Sequence, residues 1–194
     1  MPRERCFSEA EVLERLTDVF AAHGYTGTSL ALLQQATGLG KQSLYNAFGD
    51  KQAMYLQAID CATRRAAHVA GAMQGASDGR AALQAFFAAM LDDCASPDPG
   101  RKSCIVTTGL VEGLDEAPLA WALTSRWQAT HELLRASVER GQRDGSVANQ
   151  APSADLAELL AALVSGLRVA ARAGRSRQQM ERLAALTLGV LDRA

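Results

Sequence analysis

Apolar residues recur every three or four positions along almost the whole chain, which is the spacing of one face of an α-helix. No stretch alternates apolar and polar residues as a half-buried strand would. The pattern predicts an all-α protein with helices at about residues 8–24, 28–37, 41–48, 50–73, 83–94, 104–114, 117–141, 153–173 and 176–193. The proline- and glycine-rich "SPDPG" at 96–100 predicts a turn, and "ASDG" at 76–79 is a weak sign of a linker.

Several predicted helices begin with a residue whose side-chain oxygen can accept a hydrogen bond from the first turn. These candidate N-caps are Ser8, Thr28 or Ser29, Asp50, Ser153 and Ser176. Two of them are followed at the spacing of a capping box by Glu11 and Gln179, respectively. Capping signals and apolar periodicity therefore agree on where these helices begin.

The segment "GLGKQSLYNAFGDK" at 38–51 contains an unusually polar short helix. It follows the helix at 28–37 after three residues, and Gly38 stands where a left-handed backbone costs least. This spacing predicts a helix-turn-helix. Leu44 and Phe48 share its inner face, which leaves a polar outer face of Lys41, Gln42, Ser43, Tyr45 and Asn46. Lysine neutralises phosphate, and amide side chains form paired hydrogen bonds with adenine, so the face suits the major groove of DNA.

A solvated connector is the alternative interpretation of so short a polar helix. Charge does not decide the question, because residues 1–51 hold five Lys or Arg and six Asp or Glu, and the whole chain carries a net charge of −1. Any basic surface must therefore be local.

The longer stretch from "AAHGYTGTSL" to "DKQAMYLQAI" resembles the DNA-binding domain of the TetR family of bacterial transcription regulators. The matching motif residues are Phe20, Gly24, Tyr25, Thr28, Ser29, Gly38, Leu44, Tyr45, Phe48 and Lys51. The resemblance implies a three-helix DNA-binding domain at 1–51 and a helical effector-binding and dimerisation domain at 52–194. It also implies a repressor that binds a palindromic double-stranded operator as a homodimer and is released by an unknown small molecule.

The same resemblance assigns roles to individual residues. Thr28 and Lys51, with Ser29 beside them, are expected at phosphates, and Tyr45 at the backbone or a base. Lys41, Gln42, Ser43 and Asn46 take the positions that face the groove. Gly40 departs from the family, where serine or threonine usually caps the recognition helix, so one phosphate contact is expected to be missing.

Two further sets of residues are expected in the C-terminal part. Apolar stripes on the last two helices predict a dimer interface at Leu156, Leu160, Leu163, Leu167, Leu183, Leu186 and Val190. Closing the core of one protomer is the alternative use of these stripes. Side chains of mixed apolar and polar character predict an effector site at Met90, Cys94, Cys104, Thr107, Thr108, Trp121, Trp127 and His131. For Met90, Trp127 and His131, ordinary packing or surface exposure is the alternative.

The segments "SCIVTTGLVEG" and "LLAALVSGLRVAARAG" resemble a TetR subgroup that includes the repressor of N-ethylmaleimide reductase, which senses electrophiles through a cysteine. The resemblance points to Cys104, which follows Arg101 and Lys102 near a predicted helix start, where a thiol is made more acidic. A buried cysteine acting as a small apolar residue is the alternative.

The remaining features exclude other classes. No run of about 18 apolar residues predicts a membrane helix, and the N-terminus lacks the apolar stretch of a signal peptide, so we expect a cytoplasmic protein. The four cysteines form no C-x-x-C pair and the three histidines are scattered, so no metal and no cofactor are expected. No catalytic motif is visible. A helical enzyme or interaction module remains the alternative to a ligand-released or thiol-released repressor.

Overall fold

The computed structural model describes residues 8–96 and 103–192, and all regular elements within them are helices. In chain order they are α1 Glu9–Gly27, α2 Leu30–Thr37, α3 Lys41–Phe48, α4 Lys51–Arg65, α5 Ala67–Gln74, α6 Gly79–Cys94, α7 Ile105–Glu112, α8 Ala117–Asp144, α9 Ser153–Arg172, α10 Arg177–Leu188 and a final 3-10 turn, Gly189–Asp192. The all-α prediction is confirmed. No helix in the described ranges has the length and apolar character needed to cross a membrane. The turn predicted at 96–100 lies almost entirely outside the described residues.

The chain packs as two compact units. Residues 1–65 and 98–124 form the first unit, and residues 66–97 and 125–194 form the second. The first unit therefore combines the predicted DNA-binding helices with α4, α7 and the start of α8. The functional boundary expected at residue 51 stays a prediction.

In the first unit, α1 packs against α2, α4 and α7. The rings of Phe20 and Tyr55 meet nearly edge to face, with centroids 5.0 Å apart. Tyr55 is fully buried and donates its O–H to the carbonyl of Ile105 at 3.4 Å. Burial raises the pKa of Tyr55 far above its ordinary value. Gly109 lies so close to the Tyr55 hydroxyl and to Leu123 that a Cβ there would come within 3.0 Å of both. Helix α7 thus packs closely against Tyr55 of α4 and Leu123 of α8 in the same unit.

An ion-pair cluster at the end of α4 joins that helix to α1. Arg65 pairs with Glu14 and Asp18 and donates to the Glu14 carbonyl at 2.9 Å. The Cys61 thiol donates to the Glu14 carboxylate at 3.2 Å. Burial alone would raise the pKa of Glu14, but the hydrogen bonds from Arg65 and Cys61 hold that pKa below its usual value. Burial raises the pKa of Cys61, so this thiol is a poor nucleophile.

In the second unit, α6 is the central helix and contacts α5, α9 and α10. Phe86 and Phe87 pack with ring centroids 5.7 Å apart, and Leu156 and Leu160 of α9 are buried in the same cluster. Their burial removes large apolar side chains from water, which is the main stabilising contribution to a helical core of this kind.

The start of α6 lies directly on the end of α8 through two glycines. A Cβ on Gly79 would come closer than 3.0 Å to the backbone of Gly141 and to the Ser137 carbonyl. The Gly79 N–H donates to the Asp144 carboxylate at 3.0 Å. Asp78 caps α6 by accepting the Ala81 N–H at 2.8 Å. The linker suspected at 76–79 is a short non-helical connection at 76–78 between α5 and α6, and it lies within the second unit.

The single helix predicted at 50–73 is also wrong, although its start is confirmed. Asp50 accepts the Ala53 N–H at 2.8 Å, as expected of an N-cap. The helix then divides at Ala66, which has φ −78° and ψ −2°. Ala66 stays in the right-handed helical region, so the apolar spacing continues across the division. The sequence pattern therefore does not show that the helix divides here.

Other caps show how local each signal is. Ser176 and Gln179 form the predicted capping box. Ser29, rather than Thr28, caps α2 by accepting the Leu32 N–H at 3.2 Å. The cap predicted at Ser153 is wrong, because Pro152 precedes α9 and the Ser153 hydroxyl donates to Glu139 at 3.0 Å.

Candidate nucleic-acid interface

The turn between α2 and α3 has the geometry that its glycine predicts. Gly38 ends α2 with φ 73° and ψ 8°, and its N–H donates to the Gln34 carbonyl at 2.8 Å. Thr37 is buried and donates its hydroxyl to the Leu33 carbonyl, while the same oxygen accepts the Leu39 N–H at 3.3 Å. These bonds satisfy the backbone at the turn and fix the direction in which α3 leaves α2.

Helix α3 has one buried face and one exposed face, as predicted. Leu44 and Phe48 are buried in the core of the first unit. The exposed face carries the five polar side chains singled out from the sequence, namely Lys41, Gln42, Ser43, Tyr45 and Asn46. A helix held only from one side in this way can present its other side to a groove.

Two contacts order the exposed side chains. The Gln42 Nε2 donates to Asn46 Oδ1 at 2.9 Å, which links the two amides across a helical turn. Lys41 Nζ lies 5.7 Å from the centroid of the Tyr45 ring. The side chains of the pair keep donors and acceptors for base edges, because each amide has more hydrogen-bonding positions than their mutual bond uses.

The residues expected at phosphates differ in exposure. Ser29 is exposed, and its hydroxyl proton stays free to donate because the oxygen only accepts at the cap. Lys51 Nζ lies 4.7 Å from the centroid of the Tyr25 ring, which orients the ammonium. Thr28, in contrast, is fully buried, and its hydroxyl donates to the Gly24 carbonyl at 2.6 Å. The Thr28 hydroxyl is therefore not available to bind a phosphate, and Thr28 is not part of the proposed interface.

The start of α3 has glycine where the family usually has a capping serine or threonine. Gly40 is the N-cap, and no side chain caps the helix. Beside the helix, Tyr45 and Lys51 border a small depression over Leu30, Leu33 and Met54. Its volume of about 40 Å³ is far below the roughly 300 Å³ at which small-molecule sites begin, so this depression is not an effector site.

The residues expected at an effector site divide between the units. Those in the first unit are Cys104, Thr107, Thr108 and Trp121, and those in the second are Met90, Cys94, Trp127 and His131. Met90 and Cys94 are buried, with their sulfur atoms 3.6 Å apart. Trp127 packs against the core of the second unit, and His131 lies 3.4 Å from Glu158. Trp121 is 74% exposed, and Cys104 is the half-buried N-cap of α7. A common effector site stays a prediction.

Part of the predicted dimer stripe faces inward. Leu156, Leu160 and Leu167 are buried in the core of the second unit, so the assignment of these residues to a dimer interface is wrong. Leu163 and Val190 are half-buried, whereas Leu183 and Leu186 are exposed. The neighbouring face of α9 carries exposed Leu159, Ala162, Gly166 and Val169, and of these the prediction missed Leu159 and Val169. Its spacing is as helical as that of the inner stripe, so periodicity could not tell the two faces apart.

A helix-turn-helix whose second helix exposes a polar face defines the chain as a DNA-binding regulator by its fold and surface. Residues 12–58 match the model of the family described as bacterial regulatory proteins, tetR family. The transcriptional repressor ComR of Escherichia coli K12 is 27% identical over 96% of this chain and 90% of its own length. A cysteine mutant of the TetR family regulator CifR, complexed with 26-bp operator DNA, superposes with a TM-score of 0.84 and 26% identity over 96% of this chain and 98% of its own. The reduced form of E. coli NemR shares the fold, with a TM-score of 0.73 and 20% identity over 91% of this chain and 95% of its own.

Residues 12–58 belong to the TetR family of bacterial regulatory proteins, and nearly the whole chain is similar to transcriptional regulators of that family. The family assignment predicted from the sequence is confirmed, and so is the prediction that the protein is not an enzyme, because its relatives are named as transcriptional regulators.

Proposed function

We propose that the protein is a repressor that binds a palindromic operator as a homodimer and is released by a small-molecule effector bound in its C-terminal helices. The observation that carries the proposal is the exposed polar face of α3, held by buried Leu44 and Phe48. The similarity to ComR, which is named a transcriptional repressor, supports repression. The similarity to CifR, which was solved with operator DNA, supports double-stranded operator DNA as the partner. We place this activity in the bacterial cytoplasm, where the DNA lies.

Exposed Leu159 and Val169 of α9 and exposed Leu183 and Leu186 of α10, two helices that pack against each other, support a homodimer. Exposed apolar side chains clustered on one surface mark interaction sites. A second copy presenting the same face would cover it by two-fold symmetry, and the two α3 helices would then read half-sites about one turn of DNA apart.

The test of DNA binding begins with selecting bound sequences from a random pool and measuring affinity by gel shift. Gln42→Ala should relax base preference at one position in each half-site, at a cost of about 1–3 kcal/mol for the preferred base. Lys51→Ala should weaken binding to all sequences similarly and reduce the salt dependence, because it removes a phosphate contact.

Gln178→Ala, at an exposed glutamine of α10, is the matched control and should bind as the wild type does. If Gln42→Ala and Lys51→Ala weakened every sequence equally, Gln42 would not contact a base. A wild-type protein that selects no sequence from the pool would refute the proposed function.

Thiol modification is a second candidate for the release mechanism, favoured by the accessibility of the cysteines. Cys61 and Cys94 are buried, whereas Cys104 is partly exposed at the start of α7. Cys6, Arg101 and Lys102 lie outside the described residues. N-ethylmaleimide should therefore modify Cys104 before Cys61 or Cys94, and the adduct should lower operator affinity by about tenfold or more, because it adds bulk to a half-buried side chain next to buried Ile105.

Mass spectrometry identifies the modified residue, and gel shifts compare the wild type with Cys104→Ser before and after treatment. The serine variant should keep its affinity throughout. Equal loss in both proteins would exclude the thiol mechanism and leave a reversibly bound molecule as the inducer.

A further inference from the structure

The last turn of α1 is broken at Gly24 and held by a carboxylate from α7. Gly24 has φ 74° and ψ 179°, a conformation that only glycine adopts readily. The two N–H groups that follow the break both point to Glu112. Its Oε2 accepts the Tyr25 N–H at 2.7 Å, and its Oε1 accepts the Thr26 N–H at 3.0 Å. Both oxygens of one carboxylate therefore bind consecutive backbone amides, in the charge-assisted form that is stronger than a neutral hydrogen bond.

Gly24 is required here for a second, independent reason. A Cβ on this residue would come closer than 3.0 Å to both oxygens of the Glu112 carboxylate. The absence of a side chain thus opens the position that the carboxylate occupies. On the other side of the same peptide, the Gly24 carbonyl accepts the hydroxyl of buried Thr28 at 2.6 Å. The segment from Gly24 to Thr28 is consequently fixed from both sides just before α2 begins.

Glu112 is the last residue of α7, and the segment it holds leads directly into α2 and α3. One turn earlier, Gly109 packs against the Tyr55 hydroxyl and Leu123 without space for a side chain. Helix α7 therefore has little freedom to slide at Gly109. This packing holds the side-chain carboxylate of Glu112, at the end of α7, beside the amides of Tyr25 and Thr26. Any shift of α7 along its axis would pull the carboxylate away from the two amides.

We propose that Glu112 is a positioning residue that sets the orientation of the α2–α3 segment for DNA through the amides of Tyr25 and Thr26. This inference rests on the proposed DNA-binding function and deepens it, because it names the connection by which a displacement of α7 reaches the recognition helix. A carboxylate is needed, because a glutamine of the same size offers one acceptor oxygen and turns an NH2 group toward the second amide.

The test compares Glu112→Gln with the wild type by amide hydrogen exchange and by gel shift on the DNA selected with the wild type. Exchange at Tyr25 and Thr26 should quicken by about tenfold or more, whereas the buried amides of Leu44 and Phe48 keep their protection. Operator affinity should fall by about tenfold, measured below the temperature at which either protein begins to unfold. Asp115→Asn removes a neighbouring exposed charge and is the control, with wild-type exchange and affinity.

Each other result has a definite meaning. Unchanged exchange at Tyr25 and Thr26 would overturn the proposed carboxylate contact, whether or not the protein binds DNA. Faster exchange with unchanged operator affinity would overturn the positioning role and leave Glu112 a purely structural residue. If the wild type itself selected no DNA, the proposed function would fail, and the positioning role with it, while the exchange measurement would still decide whether the contact exists.

Discussion

Gly79→Ala should lower the free energy of unfolding by about 3 kcal/mol, the upper end of the usual cost of overpacking. The added methyl group would meet the backbone of Gly141 and the carbonyl of Ser137, neither of which can rotate away as a flexible side chain would. Relief of the clash requires the start of α6 to move off α8, which would also lengthen the bond from the Gly79 N–H to Asp144. Urea unfolding followed by circular dichroism measures the change.

The matched control for this substitution is Gly71→Ala. Gly71 lies within α5, and a Cβ there would meet no atom within 4 Å. Alanine should therefore stabilise the protein by about 0.5–1 kcal/mol, because it lowers the conformational entropy of the unfolded chain. A Gly79→Ala protein with the urea midpoint of the wild type would mean that α6 and α8 do not approach as closely as described.

Leu186→Glu should convert the proposed dimer to monomers and reduce operator affinity by a factor of about 100 or more. Leu186 is 76% exposed, so the substitution does not disturb the core of the protomer, but it places two carboxylates in the apolar face that a second copy would cover. A monomer contacts one half-site only and loses the gain in affinity from binding two half-sites at once, which is about 10²–10⁴-fold. Sedimentation at micromolar concentration and gel shift measure the two effects.

Val111→Glu is the control for adding a charge at an exposed apolar residue. Val111 is 84% exposed and lies on α7, away in sequence from the proposed dimer face, so this variant should sediment as the wild type does. Leu163 would be a poorer test site than Leu186, because it is half-buried and its replacement would also affect folding. A monomeric wild type, or a Leu186→Glu protein that stays dimeric, would contradict the proposed interface.

The DNA-binding helices were predictable because their signals are local. The turn at Gly38, the buried pair Leu44 and Phe48, and the polar face of α3 each depend on residues within about one helical turn of one another. Local signals left the cap of α2 open between Thr28 and Ser29, and the phosphate contact at Thr28 was implied by the family resemblance. Packing at the end of α1 buries the Thr28 hydroxyl and leaves Ser29 exposed, and no local pattern predicts which of the two is buried.

Features that depend on distant residues were not predictable from patterns. The inner and outer faces of α9 have the same apolar spacing, and which one is buried depends on α6 and α10. Gly24 is the last residue of the helix predicted at 8–24 and a family motif residue, and both fit its positive φ. Its second role, leaving space for the carboxylate of Glu112, involves a residue 88 positions away (112 − 24), and no local pattern connects the two.

The contacts of α7 bear on how such a regulator could be recombined with others. A hybrid protein cut at residue 51 would inherit Tyr25 and Thr26 without the carboxylate that binds their amides, and α1 without the helix that packs on it. The transferable piece is discontinuous in sequence, because α1 and α4 pack against α7. A graft of this DNA specificity onto another sensor would therefore keep its own α7, with Glu112 and Gly24 moved as a matched pair.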